Sequence, residues 1–209
     1  MISTIVAFGD SITQGANGLK PGEGWVELLG ESLKSFKVRN AGIGGNTSAE
    51  GIARMITDVL AHMPGLVLVE FGGNDAVHDA RAVSVEAFEK NLKTIHEQIK
   101  AKGGEVIFMT FSPVINEWHA WCSDKYYKKW GGLDGCVEQY REITRKMAKK
   151  LNCPLFDLDK LIREKIMAGK KEYYISKDGV HLTRSANKLI AESVLNFIKE
   201  NTKYEVSGT

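Results

Sequence analysis

Three residue types needed to cleave an ester occur in two short motifs of this chain. Ser11 lies in the motif Gly-Asp-Ser-Ile-Thr at 9–13, and Asp178 and His181 bound the motif Asp-Gly-Val-His at 178–181. A serine hydroxyl becomes a useful nucleophile when an imidazole accepts its proton and a carboxylate fixes the tautomer of that imidazole. Asp178 lies three residues before His181, a spacing at which a short turn can bring the carboxylate to the imidazole Nδ1. We therefore predict a Ser11, His181 and Asp178 triad.

Two glycine-rich motifs could supply the donors that an oxyanion needs. They are Gly-Gly-Asn-Thr at 44–47 and Gly-Gly-Asn-Asp at 72–75. A tetrahedral intermediate is best stabilised by N–H groups already in place, from a glycine-rich turn or an asparagine amide. Gly45 and Asn74 are the candidates. Gly44 could also turn its amide inward, and we favour Gly45 because it directly precedes the Asn-Thr pair.

Asp10 and Asp75 stand beside these candidates and are predicted to have supporting roles. Asp10 is adjacent to Ser11, so on a turn its side chain should point away from the serine and hold loop amides. Asp75 follows Asn74 and is expected to do the same. Taken singly, each of the four motifs is also typical of a turn or a helix cap, and only their joint occurrence favours catalysis.

In their order and relative positions, the four motifs resemble those of the GDSL/SGNH hydrolase family, which is named for Ser, Gly, Asn and His residues in four sequence blocks. The resemblance covers the chain from Ile5 to about Leu182. Ile12 departs from the leucine in the family's name. This exchange nearly conserves side-chain volume, so we expect little effect on the chemistry.

The resemblance also implies a role for each matched residue. Ser11 would be the nucleophile, and His181 would be the base with Asp178 as its orienting acid. The oxyanion hole would consist of the backbone N–H groups of Ser11 and Gly45 together with the Asn74 side chain. No metal or organic cofactor is implied.

Composition limits the classes of protein that remain. The chain has 209 residues, of which 43% are hydrophobic and 26% charged, with a formal net charge of +2. These values are ordinary for one globular domain, which we assign to 1–209 with a loose tail at 201–209, and they argue against a nucleic-acid partner. Three cysteines and five histidines show no metal-ligand spacing, so no metal is expected.

Localisation is predicted from the same sequence. An odd cysteine count favours a reducing compartment, and the first residues lack the basic and apolar regions of a secretion signal. No stretch approaches the roughly 20 apolar residues that span a bilayer. We therefore expect a cytoplasmic protein without a membrane span. No long heptad seam defines an oligomeric state.

Apolar strands alternate with amphipathic helices along the chain. Runs rich in β-branched or aromatic residues predict buried strands at Thr4–Phe8, Phe36–Arg39, Leu66–Phe71, Val106–Phe111 and Pro154–Leu158. Helical spacing predicts helices at Trp25–Leu33, Ala49–His62, Val85–Lys100, Val137–Lys150 and Arg184–Lys199. This alternation predicts a three-layer α/β/α sandwich with a five-stranded parallel sheet, the flavodoxin-like fold that the resemblance also implies.

The predicted sheet would bring the candidate residues together. Ser11, Gly45 and Asn74 follow the first, second and third predicted strands, and ligands in open α/β sheets bind beyond the carboxyl ends of the strands. Asp178 and His181 precede the last helix, in a loop that could lie over the same edge. The spacing therefore predicts one site at this edge.

An aromatic-rich insertion at 112–135 separates the fourth strand from the next helix. Loops at this edge shape substrate pockets, but aromatic side chains also pack under loops and at dimer contacts. The two interpretations stay open from sequence alone. The candidate pocket residues are Trp118, His119, Trp121, Tyr126 and Trp130.

The predicted function is a serine esterase that cleaves a small acyl or acetyl ester through an acyl-enzyme, with a carbohydrate ester as one substrate class. A thioesterase or lysophospholipase of the same family is the first alternative. A nucleotide- or flavin-binding module is a second, although the chain lacks both the phosphate-loop and the dinucleotide glycine patterns. A noncatalytic interaction protein that retains the same residues is the third.

Overall fold

A parallel sheet forms the centre of the protein, which is described by a computed structural model over residues 4–15, 17–62 and 64–204. Within these ranges the strands are β1 (Thr4–Gly9), β2 (Lys37–Gly42), β3 (Pro64–Glu70), β4 (Glu105–Met109) and β5 (Leu155–Phe156). Every pairing is parallel and the order is β2-β1-β3-β4-β5. This is the flavodoxin-like order, whose crevice lies between β1 and β3 at their carboxyl ends.

Helices cover both faces of the sheet, so the predicted three-layer α/β/α fold is confirmed. Their bounds are α1 (Ser11–Gln14), α2 (Trp25–Ser32), α3 (Ser48–Asp58), α4 (Val85–Ala101), α5 (Leu133–Lys150), α6 (Leu158–Met167), α7 (Lys171–Tyr174) and α8 (Arg184–Asn201). Helix α2 packs against α8, whereas α4 packs against both α3 and α5. Parallel strands need such crossovers because consecutive strands must start from the same edge.

Burial explains which strands the apolar pattern identified. Residues 5–9 of β1 and 66–70 of β3 are fully buried, as expected for central strands covered on both faces. The edge strand β2 is mostly half-exposed and contains Lys37, Arg39 and Asn40, which weakens its apolar signal. Because this signal is weak, the prediction ended the strand at Arg39, three residues before its observed end at Gly42.

Three helices were not predicted from sequence. Helix α6 starts directly after Asp157, whose side chain accepts a hydrogen bond from the Lys160 N–H, so Leu158 is helical and not the end of a strand. Helices α1 and α7 have four residues each, too few for a periodic pattern. The helix predicted at Ala49–His62 ends at Asp58 and continues as a separate 3₁₀ turn over Leu60–His62.

The insertion is tied to the core by a buried arginine on α5. The Arg141 side chain is fully buried and donates to the carbonyl oxygens of Phe111 at 3.1 Å and Ser112 at 2.7 Å. It also pairs with Asp134, whose carboxylate accepts the Val114 N–H at 2.8 Å. These bonds fix both ends of the insertion relative to the sheet edge.

The chain end beyond α8 begins against the core. The Tyr204 hydroxyl donates to the Gly65 carbonyl oxygen at 2.5 Å, and its ring packs edge-to-face on Phe36. The remainder of the predicted loose tail, 205–209, lies outside the described residues. Over the described ranges, no helix is long and apolar enough to cross a membrane.

Candidate active site

Ser11 is placed by a tight turn between β1 and α1. Gly9 ends the strand where a Cβ would come within 2.2 Å of Thr13 Oγ1 and 2.5 Å of the Glu70 carbonyl oxygen, so only glycine fits. Asp10 then caps α1 by accepting the Ile12 N–H at 2.9 Å. Ser11 is the first residue of the helix, with its N–H at the end where helical amides have no intrahelical acceptor.

The loop that carries His181 is held by an aspartate turn. Asp178 Oδ1 accepts the backbone N–H groups of Val180 and His181, both at 3.0 Å. The Ser176 N–H donates to the His181 carbonyl oxygen at 2.7 Å, and the Ile115 N–H donates to the Gly179 carbonyl oxygen at 2.8 Å. The histidine loop is thereby closed on itself and docked on the insertion.

The three predicted triad residues come together in the order that proton transfer requires. His181 Nε2 lies 3.0 Å from Ser11 Oγ, and His181 Nδ1 lies 2.8 Å from Asp178 Oδ2. Burial alone would raise the pKa of Asp178, but the Val180 and His181 donors outweigh it and hold that pKa below its usual range. An ionised Asp178 is the state that orients an imidazole and stabilises its cation.

The glycine loop separates the two candidate amides. The Gly44 N–H donates to Gln14 Oε1 at 2.9 Å, whereas the Gly45 N–H has no hydrogen-bond partner among the described residues. Gly45 has a φ of 78°, a left-handed conformation that favours glycine. Gly45 and Ser11 both line the same cavity. The arrangement favours Gly45 over Gly44 as the free donor.

Asn74 lines the same cavity as Gly45, and its side-chain amide is held by two acceptors. Its Nδ2 donates to Asp10 Oδ2 at 3.0 Å and to the Asn46 carbonyl oxygen at 3.2 Å. Asp75, the other predicted supporting residue, is fully buried and accepts the Ser48 N–H at 3.0 Å and the Ser48 hydroxyl. Both aspartates therefore accept hydrogen bonds from loop groups at the sheet edge.

A cavity of about 420 Å³ opens beside Ser11 and His181. One part of its wall is apolar and is formed by Val77, Phe111, Val114, Leu133 and Val137. The rest is polar and includes Asn17, Asn74 and Arg81. Mostly apolar clefts with a few converging polar groups are typical of small-molecule sites.

The aromatic insertion divides between the cavity and the core. His119 and Trp121 line the cavity, and the Trp121 N–H donates to His119 Nδ1 at 3.1 Å. Burial lowers the pKa of His119, which favours the neutral ring. Trp118, Tyr126 and Trp130 instead pack against the core and are not part of the cavity wall. The segment therefore contributes side chains both to the cavity wall and to the packing against the core.

Three residues at the site were not predicted from sequence. Asn17 donates to Asp178 Oδ2 and lies 3.0 Å from His181 Nδ1, and no motif marks it. Arg81 donates to the Gly45 carbonyl oxygen at 3.0 Å and pairs with Asp79. Glu70 lies beneath the Ser11 turn, where a single acidic residue at the end of an apolar strand was a signal for a buried carboxyl.

The parallel sheet and the Ser11, His181 and Asp178 contacts are those of a serine hydrolase, and comparison with known proteins identifies the family. The model of the GDSL-like lipase/acylhydrolase family matches residues 7–189. The chain therefore belongs to this family, as the four motifs predicted, and it is a carboxylic ester hydrolase.

The relatives of this chain include one without a known activity and two that are named for different substrates. The chain is 33% identical over 168 residues to the uncharacterised lipoprotein YqeF of Bacillus subtilis, covering 73% of this chain and 69% of YqeF. It is 29% identical to thioesterase 1/protease 1/lysophospholipase L1 of Escherichia coli, covering 90% and 80% of the two chains. The crystal structure of the acetyl xylan esterase AlAXEase superposes with a TM-score of 0.76 at 28% identity, covering 92% and 98%.

Proposed function

We propose that this protein hydrolyses small acyl esters through an acyl-enzyme formed on Ser11. The observation that carries the proposal is the continuous chain of contacts from Ser11 Oγ through His181 to Asp178, at 3.0 and 2.8 Å. His181 Nε2 accepts the serine proton as Ser11 Oγ bonds to the ester carbonyl carbon. The same proton then passes to the leaving alkoxide as the carbon–oxygen bond breaks, and an alcohol departs.

Water completes the cycle by the reverse sequence. His181 accepts a proton from water as the water oxygen attacks the acyl carbon, and it returns that proton to Ser11 Oγ as the acid leaves. The developing oxyanion in both halves is received by the N–H groups of Ser11 and Gly45 and by the Asn74 amide. The oxyanion takes the place of the Asn46 carbonyl, the longer of the two contacts of Asn74.

The cavity supports a division between the two halves of the substrate. Its apolar wall from Phe111, Val114 and Leu133 suits the acyl group, because each buried methylene contributes about 0.8 kcal/mol. Trp121 lines the cavity and is 38% exposed, so its aromatic ring is available to the alcohol portion of the substrate. A sugar could pack on this ring. Acetylated carbohydrate is the substrate class that the acetyl xylan esterase neighbour also favours.

A second candidate function is hydrolysis of acyl thioesters or lysophospholipids. The observation that favours it is the cavity of about 420 Å³, whose apolar wall has five side chains that a longer acyl chain would contact. The Escherichia coli relative is named for both activities. The two candidates share the Ser11 chemistry and differ only in the acyl chain and leaving group.

Initial rates on p-nitrophenyl esters of increasing acyl length, on acetylated xylo-oligosaccharides and on acyl thioesters test both candidates. We expect Ser11→Ala to fold normally and lose nearly all turnover, whereas Ser32→Ala, at an exposed position on α2, should match the wild type. Turnover retained by Ser11→Ala would reject the nucleophile assignment. A maximum at acetyl supports the first candidate, and a maximum at a longer chain or at the thioester supports the second.

A further inference from the structure

Glu70 is a buried carboxyl group that the proposed reaction does not use. It ends β3 and is 1% exposed. Its Oε2 accepts the Thr13 hydroxyl at 2.9 Å, but Oε1 is buried without a hydrogen-bond donor in the described part of the chain. A buried carboxylate oxygen without a donor is strongly disfavoured, so the protonated, neutral form of Glu70 is favoured at this position.

The Asp10 carboxyl group is the neighbour that such a proton would bind. Asp10 is fully buried, and its two oxygens already accept the Ile12 N–H and the Asn74 amide. Glu70 pairs with Gly9 in the β1–β3 ladder, and its carboxyl group lies against Gly9, the residue directly before Asp10. Two carboxyl groups placed in this way can form a hydrogen bond with each other only when one of them carries a proton.

Among the described residues, no salt bridge joins Asp10 or Glu70 to a cation. Arg54 of α3 reaches Gly9, the residue before Asp10, but its guanidinium donates to the Gly9 carbonyl oxygen at 2.8 Å and pairs with Asp58 at 3.0 Å. Asp75 is a third carboxyl group near Asp10, and its charge adds repulsion. Ionising Asp10 and Glu70 together would place two like charges at a buried site that solvent does not reach, so one proton is retained.

Hydrogen bonding decides which residue holds that proton. Asp10 accepts from the Ile12 N–H and the Asn74 amide, an arrangement that stabilises a carboxylate, whereas the side-chain donor to Glu70 is the single Thr13 hydroxyl and Oε1 has no donor among the described residues. Burial raises the pKa of Asp10 to about 7, and burial together with the Asp10 charge raises the pKa of Glu70 well above its ordinary value. Above the pKa of Asp10, the one proton that remains on the pair therefore belongs to Glu70.

We propose that Glu70 is a positioning residue, a neutral carboxylic acid whose Oε1–H donates to the Asp10 carboxylate and so fixes the Asn74 amide and the first turn of α1. The inference rests on the proposed function, in which Asn74 and the Ser11 N–H receive the oxyanion. Glu70 touches neither substrate nor the reacting atoms and acts only through Asp10. Such a bond keeps both donors aimed at the point where charge develops.

The protonation state is measured by infrared spectroscopy of the Ser11→Ala protein at about pH 8, above the pKa of Asp10. We expect a carboxylic-acid carbonyl band that shifts in D₂O and disappears when Glu70→Gln is added. Glu200→Gln, at an exposed position on α8, is the matched control and should leave the band unchanged. Absence of the band before Glu70 is replaced would overturn the proposal, whatever the activity of the enzyme.

The positioning role is measured by kcat and KM in two single variants. Glu70→Gln keeps one donor for Asp10 and one acceptor for Thr13, so we expect near wild-type kcat. Glu70→Leu removes both, and kcat should fall on the order of 10²-fold with little change in KM, because misplaced groups act in the transition state. Circular dichroism verifies that each variant is folded.

The outcomes separate this inference from the proposed function. Equal loss of kcat in Glu70→Gln and Glu70→Leu would mean that the negative charge of Glu70 is needed, and wild-type kcat in Glu70→Leu would mean that it positions nothing. Either result overturns the inference while Ser11 hydrolysis stands. If no ester is cleaved by the wild type, the proposed function fails and the positioning role fails with it, but the infrared band still decides the protonation of Glu70.

Discussion

Replacing Asp178 by asparagine should remove the tautomer control of His181 and the bond from Asn17 while keeping the two turn bonds of the loop. The carbonyl oxygen of the new side-chain amide can still accept the Val180 and His181 N–H groups that Asp178 Oδ1 now accepts at 3.0 Å. The amide nitrogen would instead replace Oδ2, which faces His181 Nδ1 at 2.8 Å. An N–H donor at this point places the imidazole proton on Nε2, so the ring can no longer accept the proton of Ser11.

The expected loss in kcat is about 10⁴-fold, the value known for the equivalent change in a serine protease triad, or about 5.5 kcal/mol of transition-state stabilisation. The assay is the initial rate on a p-nitrophenyl ester, with melting temperature measured on the same samples. Asp178→Ala is the comparison, because it also removes the two turn bonds and should lower the melting temperature further. A loss of kcat below about ten-fold in Asp178→Asn would refute the tautomer reasoning.

Three further predictions follow from the site. Asn74→Ala should lower kcat by about 10² to 10³-fold with a smaller change in KM, and an unchanged kcat would remove Asn74 from the oxyanion hole. Val137→Phe should narrow the cavity at its apolar wall, so kcat/KM should fall by about four-fold for each acyl methylene that the larger side chain excludes. The acetyl ester is the control. An unchanged dependence of kcat/KM on acyl length would place the acyl group elsewhere. Asp75→Asn should flatten the dependence of stability on pH, because burial raises the pKa of Asp75 from 3.8 to about 6. The folded protein keeps a proton that the unfolded chain releases in this window, so this group's contribution is present below about pH 4 and falls by about 3 kcal/mol as pH rises through 6. The measurement is urea unfolding of the wild type and Asp75→Asn between about pH 4 and 6. Equal slopes of the free energy of unfolding against pH in the two proteins would contradict the prediction.

Much of the fold was predictable because its determinants are local. Apolar runs in β1 and β3 are continuous since both faces of a central parallel strand are covered, and the intervening helices have clear amphipathic spacing. The edge strand β2 was misjudged at its boundaries, and helix α6 was not predicted. Half-exposed polar residues obscured the first, and the Asp157 cap at the end of a short strand obscured the second.

The sequence by itself determined the residue types of the site and the edge at which they would meet. Ser11 and Asn74 each follow a central strand, and parallel strands deliver their carboxyl ends to one edge regardless of the details of packing. The Asp178 turn is equally local, because its hydrogen bonds span two and three residues. Motifs of this kind can be read without knowing what lies across the molecule.

Tertiary structure alone decided which groups remain free and which carry protons. The Gly44 N–H donates to the side chain of Gln14, 30 residues away, which leaves the Gly45 N–H available to an oxyanion. Glu70 meets Asp10 only because β1 and β3 are neighbours in the sheet. Hydrogen-bond partners and desolvation depend on contacts between distant parts of the chain, and a pKa or a free donor is defined by those contacts and not by residue type.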